Sequence, residues 1–175
     1  NRFVGADRVG DANQLTLALS SRLLTARDGA EHLRASVGQI WYFQPRQVAL
    51  PDQPVTDSHQ SALVAEVHSN LIQNWSTRGT WQWDPDQNQT DKGVVHLHYQ
   101  SDKQHILNLA YRFRRDALEQ TDISWRWPLS SQWNMVGRWN YSLLDRHFVE
   151  TFGGVEHDSC CWSTRLVLPD HVNSE

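Results

Sequence analysis

The chain has 175 residues, of which 39% are hydrophobic; nine are Trp, and the formal charge is −4 at pH 7. That is too apolar for a disordered segment and lacks the basic excess of a nucleic-acid binder, so no nucleic-acid partner is expected. No apolar run reaches the roughly 18 residues that a transmembrane helix needs. The opening "NRFVGADRVG" has no initiator Met, basic n-region or apolar h-region, and the chain is therefore expected to be a piece of a longer one.

Period-two alternation dominates the chain. Segments near 15–24 and 33–43 are apolar on alternate residues, and "SALVAEVHSNLIQNW" (61–75) fits either a helix or a strand, with its neighbours favouring strand. "KGVVHLHYQS" sets Val95, Leu97 and Tyr99 against Val94, His96, His98 and Gln100. "ILNLAYRFRR" sets Leu107, Leu109, Tyr111 and Phe113 against Asn108, Ala110, Arg112 and Arg114. In "DISWRW", Ile123, Trp125 and Trp127 oppose Asp122, Ser124 and Arg126; in "WNMVGRWNYSLL", Trp133, Met135, Trp139 and Tyr141 oppose Asn134, Val136, Arg138 and Asn140. Successive strand side chains point to opposite faces, so this is a β pattern. It predicts ten strands near 15–24, 33–43, 62–73, 78–84, 93–101, 105–114, 121–127, 133–143, 149–157 and 160–168.

A one-residue slip would exchange the two faces, which lets register be argued from the pattern. Pairing Ser101 with His105 places Leu97 opposite Leu109 and His98 opposite Asn108. Pairing Trp127 with Trp133 places Trp125 opposite Met135. Pairing Leu143 with Val149 brings Trp139 over Gly153, where a ring can cover a strand glycine. The hairpins run in chain order, as in a meander. Short connections (25–32, 74–77, 102–104, 128–132, 158–159) alternate with longer ones (44–61, 84–92, 115–120, 144–148).

Short turns on one side, longer loops on the other, strands of about ten residues and aromatics at strand ends are the pattern of an outer-membrane barrel. Trp81, Trp83, Trp125, Trp127, Trp133 and Trp162 supply the aromatics. The reading is all-β: an antiparallel meander of about ten strands, part of a large transmembrane β-barrel. A soluble antiparallel sandwich acting as a binding module, with one face in water, is the competing architecture.

Three stretches then identify a resemblance: "NRFVGADRVGDANQLTLALSSRLL", "RASVGQIWYF" and "VEHDSCCWSTRL". Their order and spacing resemble the C-terminal barrel of the LptD family, lipopolysaccharide-assembly proteins of the Gram-negative outer membrane. The resemblance spans residues 1–168. It implies that 1–175 is a single segment of that barrel domain, with the N-terminal periplasmic domain and the final strands absent. It implies a wall segment of a translocon that inserts lipopolysaccharide into the outer leaflet. Implied partners are lipopolysaccharide, outer-membrane lipid, the periplasmic domain of the same protein and the LptE lipoprotein as a plug in the lumen. A general diffusion channel is the alternative within the same architecture.

Cys160 and Cys161 are the two cysteines of the chain, and they are adjacent. Neighbouring cysteines seldom bond to each other because the ring is strained. The resemblance implies that each pairs with a cysteine of the N-terminal part; two unpaired thiols are the alternative, and zinc held by His157 and Cys160 lacks further ligands. His96 and His98 share a strand face without a third metal ligand, so lumen lining is expected and no metal or other cofactor. Asp7, Arg8 and Asp11 lie in a glycine-bearing loop, expected to fold into the lumen. Arg112, Arg114, Arg126 and Arg138 line the polar face as lumen charges, where Arg can also meet phosphate of a passing glycolipid. No GxSxG, HExxH or nucleophile–base pair is present, and the chain is not expected to be an enzyme.

Overall fold

A computed structural model describes residues 13–44, 58–102 and 105–169. Ten strands form one sheet: β1 (Gln14–Leu24), β2 (Glu31–Tyr42), β3 (Leu63–Ser69), β4 (Trp75–Asp84), β5 (Gln89–Gln100), β6 (Ile106–Arg114), β7 (Leu118–Pro128), β8 (Trp133–Ser142), β9 (His147–Asp158) and β10 (Ser163–Pro169). Neighbours in sequence are neighbours in the sheet throughout, and each pairing is antiparallel. This is the meander that the alternation predicts. No second layer packs on it among the described residues, which removes the sandwich.

Register respects the faces. Leu97 opposes Leu109 and His98 opposes Asn108, as the pattern requires. Two hairpins differ from the expectation by two residues over most of their length, a shift that leaves the side chains there on their own faces. Trp127, not Trp125, opposes Met135. β7 runs on to Pro128, and the turn closes with Leu129 and Ser130 N–H both donating to Trp133 O at 2.8 and 3.1 Å. Trp139 opposes Thr151, with a bulge between Asn140 and Tyr141. The ring-over-glycine contact is made elsewhere: a Cβ at Gly137 would run into Cζ2 of Trp125.

The connections also differ from the expectation. Residues 25–30, 70–74, 129–132 and 159–162 close hairpins at the end of the sheet where β5 also passes to β6, and at the other end 85–88, 115–117 and 143–146 are as tight or tighter. Only 43–62 is long. The polar starts of β5, β7 and β9 read as loop in the sequence, but they pair as strand. Left-handed residues at Asn88, Asp116 and Arg146 reverse the chain there. Strand β3 stops at Ser69, short of the expected 73, where Asn74, also left-handed, turns the chain. The long connection is pinned where it re-enters the described chain: Ser58 Oγ and Gln60 Nε2 both donate to the Asp86 carboxylate, the latter at 3.0 Å.

Burial is inverted relative to a water-soluble sheet. Leu17, Leu19, Val95, Trp81, Trp127, Met135 and Leu166 are exposed, Leu19 by 71% and Leu166 by 65%. The two most buried side chains are polar, Asn134 and Ser142 at 1%, and Glu156 at 6% follows Val136 at 5%. In a single layer, burial on one face means that neighbouring side chains converge over it, as on the inner side of a curved sheet. The polar face is that inner side, and the apolar face lies outward and uncovered.

Candidate functional site: the two faces of the wall

The outward face is graded along the strands. At the end that carries the 159–162 turn, Trp75 packs on Tyr99 (5.0 Å), Tyr99 on Trp127 (6.4 Å) and His105 on Trp127 (4.8 Å). At the same end His157 lies between Trp133 (4.7 Å) and Trp162 (5.0 Å). At the opposite end Trp81 stacks on Trp83, and Trp139 meets Tyr141 and Phe148. Between these belts the face is aliphatic or small: Leu97, Leu109, Ile123, Met135, Gly79. From Trp75 to Trp83 is eight residues, about 26 Å along a strand at ~3.3 Å each. Tilted by ~40°, that gives about 20 Å, near the ~25 Å apolar band of outer-membrane barrels.

The inward face is ionic, and its charges fall into two regions. On strands β7–β10 every arginine is held by carboxylates. Arg138 donates through Nε and Nη2 to Asp122 (3.1 and 2.7 Å) and through Nη1 to Glu150 (2.6 Å). Arg126 reaches over β8 to Glu156 and Asp158, both at 2.5 Å. Arg165 joins Glu156 from the far side, and Asn134 donates to Asp158 at 2.9 Å. Glu156 is thus nearly enclosed between two guanidinium groups, a position tolerable for a carboxylate only because it is paired. Sequence reading missed Glu156, Asp158, Glu150 and Asn134. Their alternation marks them as inward-facing, but the partnership with Arg126 and Arg165 depends on a register that the sequence misplaces by two residues.

Across β2–β6 the inward Arg and His side chains make fewer ion pairs among the described residues. Arg34 pairs with Glu31 at 2.8 Å. Beyond it, Arg34, His68, Arg78 and His96 are register partners in one row over four strands. In the next row His98 lies 2.6 Å from Asn108 Oδ1, and Asn108 donates to Ser124 at 3.1 Å. Arg112 and Arg114 lie on the same face of β6. Of the expected lumen residues, His96, His98, Arg112, Arg114, Arg126 and Arg138 therefore share one face. Asp7, Arg8 and Asp11 lie outside the described residues. No group of three or more His, Cys, Asp or Glu able to hold a metal occurs among the described residues.

Cys160 and Cys161 sit in the β9–β10 turn, not at the start of β10 as the strand pattern predicts. Both are exposed free thiols. Their sulfurs are 2.8 Å apart, one thiol donating to the other. That contact, with a further hydrogen bond from Ser159, holds the Cys160 thiol below its ordinary value, and the same contact holds Cys161 above it.

A ten-stranded antiparallel sheet with polar groups on its inner side and an aromatic-bordered apolar band outside has the makeup of a β-barrel wall. Comparison with known proteins gives the family. The model of the LptD family, LPS transport system D, matches residues 1–133. The chain is 50% identical over 174 residues to the LPS-assembly protein LptD of Nitrosococcus oceani, covering 99% of this chain and 24% of that protein. It is 41% identical to the LPS-assembly protein LptD of Xylella fastidiosa, with 98% and 23% covered, and 40% identical to that of Xanthomonas campestris pv. campestris, with 99% and 23% covered. The chain belongs to the LptD family. It spans about a quarter of the length of the curated relatives it matches.

Proposed function

We propose that this chain is a wall segment of an outer-membrane β-barrel that delivers lipopolysaccharide to the outer leaflet. The observation that carries the proposal is the inversion of burial: bulky apolar side chains uncovered on one face, Asn134, Ser142 and Glu156 enclosed on the other. In water such a sheet would expose a broad apolar surface, which soluble monomers avoid; against acyl chains the same face is at home. The family membership supplies the cargo, since the relatives are named for lipopolysaccharide assembly.

In this reading the inward face borders a wet lumen holding the LptE plug, and the turn with Cys160 and Cys161 faces the periplasm, where thiols oxidise. Two disulfides to the N-terminal periplasmic part would then fix that domain beneath the barrel. Each would close a long loop, worth about 4 kcal/mol or more in the chain-entropy account. In the intact protein both thiols resist a maleimide until reductant is added; ready labelling beforehand contradicts the pairing.

The test of function is depletion of the full-length protein in cells. Surface lipopolysaccharide is expected to fall, to recover with the intact gene, and to stay low with a gene lacking residues 14–169. Normal surface delivery by the shortened form would overturn the reading.

A further inference from the structure

The inward arginines are not equivalent. Arg126, Arg138 and Arg165 are each committed to carboxylates within the wall. Arg78 has no ion pair or side-chain hydrogen bond among the described residues, and it lies between His68 and His96 in the register row. None of these three side chains makes an ion pair across the row, so the row does not tie its strands together as Arg126 ties β7 to β9. Glu31 and Glu66 border a neighbouring depression with His68 and Arg78, but no carboxylate of β3–β6 pairs with Arg78. Asp84 accepts the Asp86 and Gln87 amides of its own turn, Asp91 pairs with Arg115, and Glu66 sits one row away opposite Ser36 and Thr80.

The row also has a receptive shape. One depression of about 280 Å³ is lined by His68, Ser76, Arg78, His96 and His98. A second, of about 360 Å³, shares His96 and His98 and continues to Asn108, Arg112, Ser124 and Arg138. Its one carboxylate, Asp122, is hydrogen-bonded to Arg138 and lies near enough to Arg112 and His96 to act on both. The two adjoin at the histidines, forming a shallow trough with guanidinium groups on either side and hydroxyl and amide groups along the floor.

We infer that this trough, centred on Arg78, His96 and Arg112, binds the anionic substituent of a saccharide, a sugar phosphate being the best match. Guanidinium groups recognise phosphate by paired donors, and rings of Arg or Lys serve phosphate-selective pores. Ser76, Asn108 and Ser124 supply the neutral donors and acceptors that sugar hydroxyls require. The inference rests on the wet-lumen reading above and adds a site to it.

The test uses the full-length protein in detergent, titrated by NMR with a hexose phosphate, the same hexose without phosphate, and inorganic phosphate. The hexose phosphate is expected to bind at least tenfold more tightly than either other probe. Arg78→Gln and, separately, His96→Gln should each weaken it several-fold, Arg78→Lys by less, while Arg27→Gln in the β1–β2 turn leaves it unchanged. Equal binding of the phosphorylated and plain hexose overturns the site. Binding of inorganic phosphate as tight as that of the sugar phosphate overturns the saccharide assignment. An Arg78→Cys variant separates the two levels of inference. If a hydrophilic maleimide labels it while the unsubstituted protein shows no preference for the sugar phosphate, the lumen stands and this site falls; no labelling removes both.

Discussion

Gly137 shows how little freedom single residues have in this wall. The Trp125 indole lies across it so closely that a Cβ there would meet three ring carbons within 2.7 Å. Gly137→Ala must push the indole off its seat, and overpacking of this kind costs about 1–3 kcal/mol. Combined with Trp125→Ala the second change should cost far less than alone, which a double-mutant cycle in urea unfolding measures. Strict additivity would mean that the ring does not rest on Gly137. The two thiols differ as well. After reduction, Cys160, held below its ordinary value by Cys161 and Ser159, carries more thiolate at neutral pH than Cys161. In the reduced protein, mass spectrometry after brief alkylation should find Cys160 modified first; the reverse order would contradict the assignment.

At the scale of strands and hairpins, alternation determines much and leaves a defined remainder. The ten strands, their faces and the β5–β6 register all come from period two, because a slip by one residue would set Leu97 against Asn108 or Ala110. A slip by two is invisible to that argument. At β7–β8 and β8–β9 the choice depends instead on turn closure at Leu129–Trp133 and on the bulge at Asn140. The lengths of the connections are illegible for a related reason. Gln89, Thr90 and Asp91 look like loop by composition, yet they pair as strand once Asn88 reverses the chain. The ionic cluster depends on the same registers. Glu156 ties β7 to β10 through Arg126 and Arg165. Glu156→Ala leaves Arg126 with Asp158 alone and the half-exposed Arg165 without a carboxylate, and loss of these charged hydrogen bonds costs about 1.5–3 kcal/mol. Urea unfolding of the full-length protein should show that loss, whereas Glu150→Ala, removing only the outer partner of Arg138, should cost about 1 kcal/mol or less. Equal effects would mean that enclosure does not matter.

For the whole molecule, the sheet makes sense only with different media on its two sides. Its outward face carries apolar side chains bordered by aromatic belts, and its inward face divides into a neutralised ionic half on β7–β10 and an open cationic half on β2–β6. The neutralised half holds strands together; in the proposed function, the open half is the one left to meet cargo. Both halves are visible in the sequence as polar alternation, but which arginines are spoken for is not. That distinction lies in contacts across two strands.

The most direct measurement is residue-by-residue accessibility along β5 and β6 in the full-length protein reconstituted in lipid vesicles. Single cysteines at 95, 97, 107 and 109 would carry a nitroxide, as would those at 96, 98, 108 and 110. The first set should be relaxed by oxygen dissolved in the bilayer and the second by a water-soluble nickel chelate, alternating with every step. Uniform exposure to the chelate, or protection of the first set from both reagents, would contradict a wall with lipid outside and water within.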